Sequence, residues 1–260
     1  MKALSNSKDC PKCGSNHKSS PFCIYADGYH CFSCGHSKRG DRSYSVREQL
    51  TIEAPEYPDD IIQQPSEFGV QNLKWLYERG LTDNDIQEFR IGEDQHGWLI
   101  MPCIIDNVLV HYQRRRIEER EIQTFGEKHP LLTESVNKNV LVVCEDLISH
   151  IRIVKNGYTS LCLFGTKMAY DDVKRFSTYR NILVWLDNDY TKETNSGQIA
   201  AEKICKSFDN VLSYKYRQRS FSTKDYIIKN IVTDKEPKEM LNSEIKKTLG
   251  AVYEHTFPEE

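Results

Sequence analysis

Residues 140–165 read VLVVCEDLISHIRIVKNGYTSLCLFG and contain a strand–helix–strand unit. VLVVCE and SLCLFG are short apolar runs typical of buried strands, and DLISHIRIVKNG between them is helical in character and ends at Gly157. Such a unit joins two parallel strands through a helix that packs on the sheet. The stretch therefore predicts the start of an α/β fold.

The alternation continues towards the C-terminus. The pattern predicts a helix in AYDDVKRFSTYR, a strand in ILVWLDND, a helix in GQIAAEKICKSF and a fourth strand in VLSYKY, residues 211–216. The order from residue 140 is then βαβαβαβ, which indicates a parallel sheet covered by helices.

Carboxylates follow the predicted strands. The segment ILVWLDND, residues 182–189, ends on Asp187 and Asp189, which point the same way if the strand continues. A polar turn explains this ending equally well, because Asp and Asn are common turn formers. However, sites in open parallel sheets form beyond the carboxyl ends of the strands, and Glu145 stands at the same edge. We therefore expect Glu145, Asp187 and Asp189 to converge, with Mg²⁺ relieving their repulsion.

The N-terminal region is rich in cysteine. Residues 10–34 read CPKCGSNHKSSPFCIYADGYHCFSC, with two Cys-x-x-Cys pairs separated by 17 residues. This spacing is typical of four thiolates around one zinc ion. A segment this short buries too little apolar surface to fold alone, so the metal would supply the folding energy. We predict a zinc ribbon with one structural Zn²⁺ held by Cys10, Cys13, Cys31 and Cys34.

The middle of the chain predicts a small mixed α+β subdomain. Two short helices separated by Gly80 precede the strand-like runs WLIMPCII and VLVHYQ, which Asp106-Asn107 joins, and a third strand is expected around Glu121–Phe125. A basic stretch of three consecutive arginines, Arg114 to Arg116, followed by Arg120 and Lys128, could hold triphosphates through charge-assisted hydrogen bonds. A solvated charged strand balanced by nearby glutamates is the slightly favoured alternative on local sequence alone.

Composition limits the class of protein. The 260 residues have a net charge of −3, but residues 1–50 carry eight Lys and Arg against four Asp and Glu, a net +4, which leaves −7 for the rest. No apolar run approaches the roughly 20 residues that span a bilayer, and the N-terminus lacks a secretory pattern. We expect a cytoplasmic protein whose cysteines bind metal. The predicted divisions are a zinc ribbon (1–44), a linker (45–66), the mixed subdomain (67–139), the parallel-sheet subdomain (140–233) and a C-terminal tail (234–260).

The order of the motifs resembles a known family. The pieces VVCEDLISH, LFGTK, ILVWLDND and TKDY match in order the Toprim stretches of DnaG-type primases. With the four-cysteine ribbon in front, nearly the whole chain resembles the primase half of bacteriophage primase-helicases. The resemblance implies a DNA primase, a nucleotidyltransferase that makes short RNA primers on single-stranded DNA from ribonucleoside triphosphates. It also implies one or two catalytic Mg²⁺ ions, for which Mn²⁺ could substitute, and a bacterial host cell if the chain is phage-encoded.

The resemblance also implies roles for individual residues. Glu145 stands for the family's glutamate, Asp187 and Asp189 for its two aspartates, and Asp225 for its later Lys-Asp element. It favours nucleotide binding for the basic stretch Arg114, Arg116, Arg120 and Lys128. Two positions depart from the family pattern, since Asp146 replaces a glycine and Ser149 replaces an aspartate.

Other functions are compatible with these motifs. A Toprim-type nuclease would use the same metal ions to direct water at a phosphodiester, and a zinc-ribbon protein with a decayed site would bind single-stranded DNA without chemistry. The sequence contains no Gly-x-x-x-x-Gly-Lys-Ser/Thr phosphate loop, so any helicase partner would be a separate protein. The tail from Asp234 could contact that helicase or pack as a terminal helix, and the two readings carry equal weight.

Overall fold

The computed structural model divides into two compact units, Met1–Ile52 and Glu53–Glu260. The residues that the structure describes are 5–7, 10, 12–14, 22–25, 28–31, 34, 36–39, 55–58, 60–179, 181–188, 194–218 and 227–254. The division between the units falls within the predicted linker, while the exact domain bounds stay predictions.

The first unit is a small antiparallel sheet. Its strands are β1 (Ser5–Ser7), β2 (Phe22–Tyr25), β3 (Gly28–Cys31) and β4 (Ser37–Arg39), and they lie in that order. Strands β2 and β3 pair with Tyr25 opposite Gly28, so two residues connect them. The hairpin lies between the two cysteine pairs.

The second unit begins with two short helices, α1 (Val70–Glu78) and α2 (Asp83–Glu88). Gly80 takes a φ of +74° between them, a conformation that glycine adopts without strain. Thr82 caps α2 in a capping box with Asp85. These helices lead into an antiparallel sheet in sequential order, with strands β5 (Gly92–Glu93), β6 (Leu99–Ile105), β7 (Val108–Arg116) and β8 (Glu121–Phe125). Asp106 and Asn107, both with positive φ, join β6 to β7.

A second sheet of five strands follows. Its strands are β9 (Leu131–Thr133), β10 (Asn137–Cys144), β11 (Tyr158–Cys162), β12 (Asn181–Trp185) and β13 (Ile227–Asn230). The spatial order is β13-β12-β10-β11-β9, in which only the edge strand β9 runs antiparallel to its neighbour. The helices of this part are α3 (Leu147–Lys155), α4 (Tyr170–Phe176), α5 (Ser196–Gln218) and α6 (Asn242–Glu254). The predicted α/β fold class is thus confirmed.

The central strands β10 and β12 are buried on both faces, which explains their continuous apolar sequences. Leu141, Val143, Ile182 and Val184 face one cluster that the helices α4 and α5 cover. Among the described residues no helix is both long enough and apolar enough to cross a bilayer.

The prediction of a strand at residues 211–216 is wrong, because these residues lie inside α5. Ile204, Phe208, Val211 and Leu212 are all buried, and their spacing of three and four residues places them on one helix face. This helical period outweighs the β-propensity of the local sequence. The fourth parallel strand is instead β13, which pairs with β12.

The C-terminal residues pack against α3 within the second unit. A short 3-10 turn, Pro237–Glu239, precedes α6, in which Ile245 and Leu249 are fully buried. Arg152 of α3 donates to the backbone oxygen of Met240, and Asn156 donates to Asn242 Oδ1 at 3.3 Å. The tail therefore packs as a terminal helix, and contact between the tail and a helicase stays a prediction.

Candidate active site and metal centre

The four predicted zinc ligands come together in the first unit. The sulfur atoms of Cys10 and Cys34 lie 3.8 Å apart, those of Cys13 and Cys31 lie 3.7 Å apart, and all four lie within 4.8 Å of one another. A regular tetrahedron with sulfurs about 2.3 Å from zinc has edges of about 3.8 Å. The cluster therefore has the dimensions of a closed four-thiolate zinc site.

The candidate active site lies at the carboxyl edge of the parallel strands. Cys144, at the end of β10, pairs with Cys162 of β11 and with Trp185 of β12, and Val184 pairs with Asn230 of β13. The segments that follow these strands are therefore neighbours. This is the edge at which α/β proteins place their ligands.

Three carboxylates meet at this edge. Asp146, Asp187 and Glu236 each offer an oxygen, and these oxygens lie within 4.8 Å of one another. Asp146 follows β10, Asp187 follows β12 and Glu236 lies beyond β13. Carboxylate oxygens are hard ligands that suit Mg²⁺ or Mn²⁺ rather than zinc.

Lys238 reaches into the centre of this acidic triad, Asp146, Asp187 and Glu236. Its Nζ lies 2.9 Å from Asp187 Oδ2 and 3.2 Å from Asp146 Oδ2, and it also pairs with Glu236 Oε2. The lysine side chain is only 15% exposed. The triad therefore already holds one positive charge from the chain itself.

The charges at the edge shift the pKa values of its groups. Burial, followed by the charges of Asp187 and Asp146, raises the pKa of Glu145 to about 7. Burial likewise raises the pKa of Asp187, and it raises the pKa of Glu236 to about 8. Burial also opposes ionisation of Asp146, but Lys238 and the hydrogen bonds from Ser149 outweigh it and lower the pKa of Asp146. An additional cation would favour the ionised form of every carboxylate here.

Asp146 and Ser149 form a helix cap. Ser149 donates from its backbone N–H to Asp146 Oδ1 and from its hydroxyl to Asp146 Oδ2, each at 3.0 Å. The cap starts α3 and holds the Asp146 carboxylate beside Lys238. Asp146 and Ser149 thus act as one structural unit.

Asp187 is held by the start of α5. Gln198 donates from Nε2 to the backbone oxygens of Leu186 at 3.3 Å and Asp187 at 3.4 Å. Asn188, which directly follows Asp187, donates to the backbone oxygen of Thr233 at 3.1 Å. Strand β12 ends at Trp185, so Asp187 lies beyond the regular strand.

The predicted carboxylates are thus partly accounted for. Glu145 and Asp187 lie at one edge as expected, while Asp189 and Asp225 fall outside the described residues. The sequence reasoning missed Asp146 and Glu236 as members of the triad. A fourth strand at residues 211–216 would leave Glu236 far along the chain from any strand end, whereas Glu236 closely follows the observed strand Ile227–Asn230.

The two faces of β7 separate the basic residues. Arg114 and Arg116 both lie over the ring of Trp98, at 4.5 and 4.8 Å from its centroid. Gln113 projects from the other face and donates to the backbone oxygen of Phe164, the segment that follows β11. Arg115 shares that second face, because side chains alternate along a strand.

A second arginine accompanies Arg115. The guanidinium groups of Arg79 and Arg115 lie 3.8 and 5.2 Å from the ring centroid of Trp75. The pKa of Arg79 is lowered by burial and by Arg115, while Glu239, Glu78 and Asp146 oppose this shift. Arg79 is therefore within electrostatic reach of the acidic triad.

The other predicted basic residues lie elsewhere. A methyl group at Gly165 would lie 3.5 Å from Lys128 Nζ, so Lys128 stands beside the segment that follows β11. Gly165 in turn donates its N–H to the backbone oxygen of Glu145 at 2.9 Å. Arg120 lies exposed in the turn between β7 and β8. The structure therefore brings Lys128, but not Arg114, Arg116 and Arg120, to the carboxyl edge.

Comparison with known proteins adds a likeness in fold. No protein-family model matches the sequence, and no curated protein sequence matches it. The zinc-binding and RNA polymerase domains of the Aquifex aeolicus primase superpose with a TM-score of 0.53 at 11% identity, over 96% of this chain and 80% of that chain.

Two further solved structures are more distant in shape. The RNA polymerase domain of Mycobacterium tuberculosis primase DnaG covers 68% of this chain and 74% of its own, at 12% identity and a TM-score of 0.47. Primase domains of bacteriophage T7 gp4, in a complex with the lagging-strand DNA polymerase, cover 70% and 80% at 16% identity and a TM-score of 0.35. On the Aquifex comparison, the chain has the fold of the zinc-binding and RNA polymerase domains of a primase.

Proposed function

We propose that this protein is a DNA primase that makes short RNA primers on single-stranded DNA by metal-assisted nucleotidyl transfer. The observation that carries the proposal is the meeting of Asp146, Asp187 and Glu236 around a cation, Lys238, at the carboxyl edge of a parallel sheet. The same chain carries a four-cysteine cluster of zinc dimensions and the fold of primase domains.

The carboxylates would hold Mg²⁺, with Mn²⁺ as a substitute. Asp187 and Glu236 present oxygens towards one another, and Glu145 is close enough for its pKa to respond to Asp187. Mg²⁺ held by these carboxylates would supply positive charge that stabilises the triphosphate and lowers the pKa of the attacking 3′-hydroxyl. Asp189 and Asp225 are proposed to assist on the basis of the sequence resemblance.

Arg79 and Arg115 would bind the triphosphate of the incoming ribonucleotide. They stand near each other on the Trp75 ring, so their like charges favour an anion between them. Guanidinium groups donate strong charge-assisted hydrogen bonds to phosphate oxygens. Lys128 would reach the same ligand from the Gly165 side.

The zinc ribbon would bind the template and select the initiation site. Its four cysteines form a closed site without an open position for chemistry, so its role is structural. We further propose cytoplasmic action beside a separate replicative helicase.

A template-dependent assay tests the function. The zinc-loaded protein is incubated with random single-stranded DNA, labelled ribonucleotides and Mg²⁺, with the Asp187→Asn variant as control. We expect short RNA products from the native protein and none from the variant. Degradation of the DNA without RNA synthesis would instead identify the nuclease, and DNA binding without any metal-dependent product would identify a binding protein.

A further inference from the structure

The fold fixes the backbone that carries Lys238, and this backbone directs the lysine side chain towards the acidic triad. Pro237, which is buried, begins the 3-10 turn that carries Lys238, and Glu236 and Glu239 form a capping box around it. Arg152 of α3 holds the end of the turn through the backbone oxygen of Met240. The ammonium group is therefore built into the site.

All three donors of the Lys238 ammonium are used. A lysine ammonium has three N–H groups, and here one carboxylate from each of three separate segments accepts from it. Such an arrangement resembles the way in which several carboxylates surround a metal ion. The Lys238 ammonium group therefore fills space that a divalent ion would otherwise take. Its N–H groups also bind carboxylate lone pairs that the ion would otherwise use.

The net charge of the site also indicates that Lys238 takes the place of a metal ion. Asp146, Asp187 and Glu236 together carry −3 when ionised, and Lys238 reduces this to −2. One divalent ion then makes these four side chains neutral, while a second would leave them with +2, which the neighbouring Glu145 could reduce only to +1 in a half-buried site. Without Lys238 the same carboxylates would attract divalent ions more strongly.

We propose that Lys238 is a tethered cation that replaces a second divalent metal ion, so that the acidic triad binds one divalent ion with the lysine in place. This inference rests on the proposed function in that the triad is its metal site. Lys238 would accordingly be a site residue that sets the number of metal ions and supplies part of the positive charge at the reacting phosphates.

Mn²⁺ binding without nucleotide or template tests the inference. The free Mn²⁺ signal is followed by electron paramagnetic resonance during titration of the zinc-loaded protein, and Asp187→Asn and Glu236→Gln define which binding belongs to the triad. We expect one triad-dependent Mn²⁺ in the native protein. Two such ions in the native protein would overturn the proposal.

Variants at Lys238 extend the test. Lys238→Met should bind a second Mn²⁺ or bind the first at least about tenfold more tightly, because a nearby positive charge has been removed. Lys238→Arg, which keeps the charge, should still bind one ion. Lys235→Met is the matched control, since Lys235 is 60% exposed and lies 3.8 Å from Glu244 outside the triad. Unchanged stoichiometry and affinity in a folded Lys238→Met protein would contradict the proposal.

Failure of the proposal for Lys238 can be distinguished from failure of the proposed function. If the protein makes no primers but Lys238→Met gains Mn²⁺, the role of Lys238 stands and the assigned reaction falls. If primers are made and Lys238→Met binds Mn²⁺ like the native protein, only the role of Lys238 falls.

Discussion

Gln113 donates from Nε2 to the backbone oxygen of Phe164 at 3.2 Å and thereby joins the antiparallel sheet to the carboxyl edge of the parallel sheet. The ring of His111, on the same face of β7, packs edge-on against Phe164 at 4.5 Å. These contacts show that the face of β7 with His111 and Gln113 is oriented towards the carboxyl edge, where the acidic triad lies. Arg115 lies on that face, and Arg114 and Arg116 lie on the other.

Arg115→Ala should therefore weaken nucleotide binding more than Arg114→Ala. A charge-assisted hydrogen bond contributes about 1.5–3 kcal/mol, so KM for the ribonucleotide should rise by about tenfold or more in Arg115→Ala. Arg114 instead donates to Gln123 at 2.9 Å and lies over Trp98, and its loss should change KM by less than about threefold. Extension of a supplied primer at varied ribonucleotide concentration measures both values. A larger effect at Arg114 would favour the assignment made from the sequence.

Zinc and the acidic triad should control separate steps. Cys31→Ser should lose template-directed initiation, because the three remaining thiolates cannot close the zinc site. It should still extend a supplied primer. Asp187→Ala should lose both activities, because initiation and extension use the same chemistry. The two activities are measured side by side with each variant. Loss of extension in Cys31→Ser as complete as in Asp187→Ala would refute the separation of roles.

Gly80→Ala should destabilise the protein more than Gly97→Ala. Both glycines have similar positive φ values, +74° and +76°, so the backbone cost of about 1–2 kcal/mol is shared. A methyl group at Gly97 meets open space, whereas one at Gly80 would lie 1.7 Å from a guanidinium nitrogen of Arg152. Arg152 is buried and donates to the backbone oxygens of Arg79 and Met240, so it cannot move without losing these bonds.

Urea unfolding of the two variants measures this difference, which we expect to be about 1–3 kcal/mol. The additional cost at Gly80 should disappear in an Arg152→Ala background, since the clash partner is then absent. Equal free energies of unfolding for the two single variants would show that the Arg152 side chain moves away from the added methyl group at no measurable cost.

His150 should make the folded state sensitive to acid. Its ring is fully buried, and its nitrogens lie 2.9 Å from Ser160 Oγ and 2.8 Å from Thr133 Oγ1. Burial lowers the pKa of His150 to about 3. The unfolded chain, with an ordinary histidine pKa of about 6.5, binds the proton first, so stability falls as the pH drops from about 6.5 towards 3.

This contribution has a limiting slope of about 1.4 kcal/mol per pH unit within that window. Free energies of unfolding at a series of pH values should show a shallower dependence for His150→Gln than for the native protein. His96→Asn, at an exposed turn position, is the control and should keep the native slope. If the free energies of unfolding of His150→Gln and of the native protein depend on pH in parallel, His150 is not a cause of the acid sensitivity.

Local patterns were sufficient for a large part of the molecule. The two Cys-x-x-Cys pairs predicted a cluster that the structure contains, because their spacing and hairpin bring four sulfurs together within a short segment. Buried parallel strands read as continuous apolar runs, so β10, β11 and β12 were also recognisable, and Glu145 and Asp187 followed from the ends of those strands.

Tertiary structure alone decided the remaining features. Residues 211–216 have strand-like composition, but burial of Val211 and Leu212 on the same face as Phe208 makes them part of a long helix. Glu236 and Lys238 join Asp146 and Asp187 because β13 adds beside β12 and delivers the following turn to the same edge, a pairing between distant segments. Likewise, three consecutive arginines look equivalent in the sequence, and only the contacts on the two faces of β7 distinguish Arg115 from Arg114 and Arg116. Short-range periodicity determines which elements form, whereas the packing of distant elements determines which side chains meet.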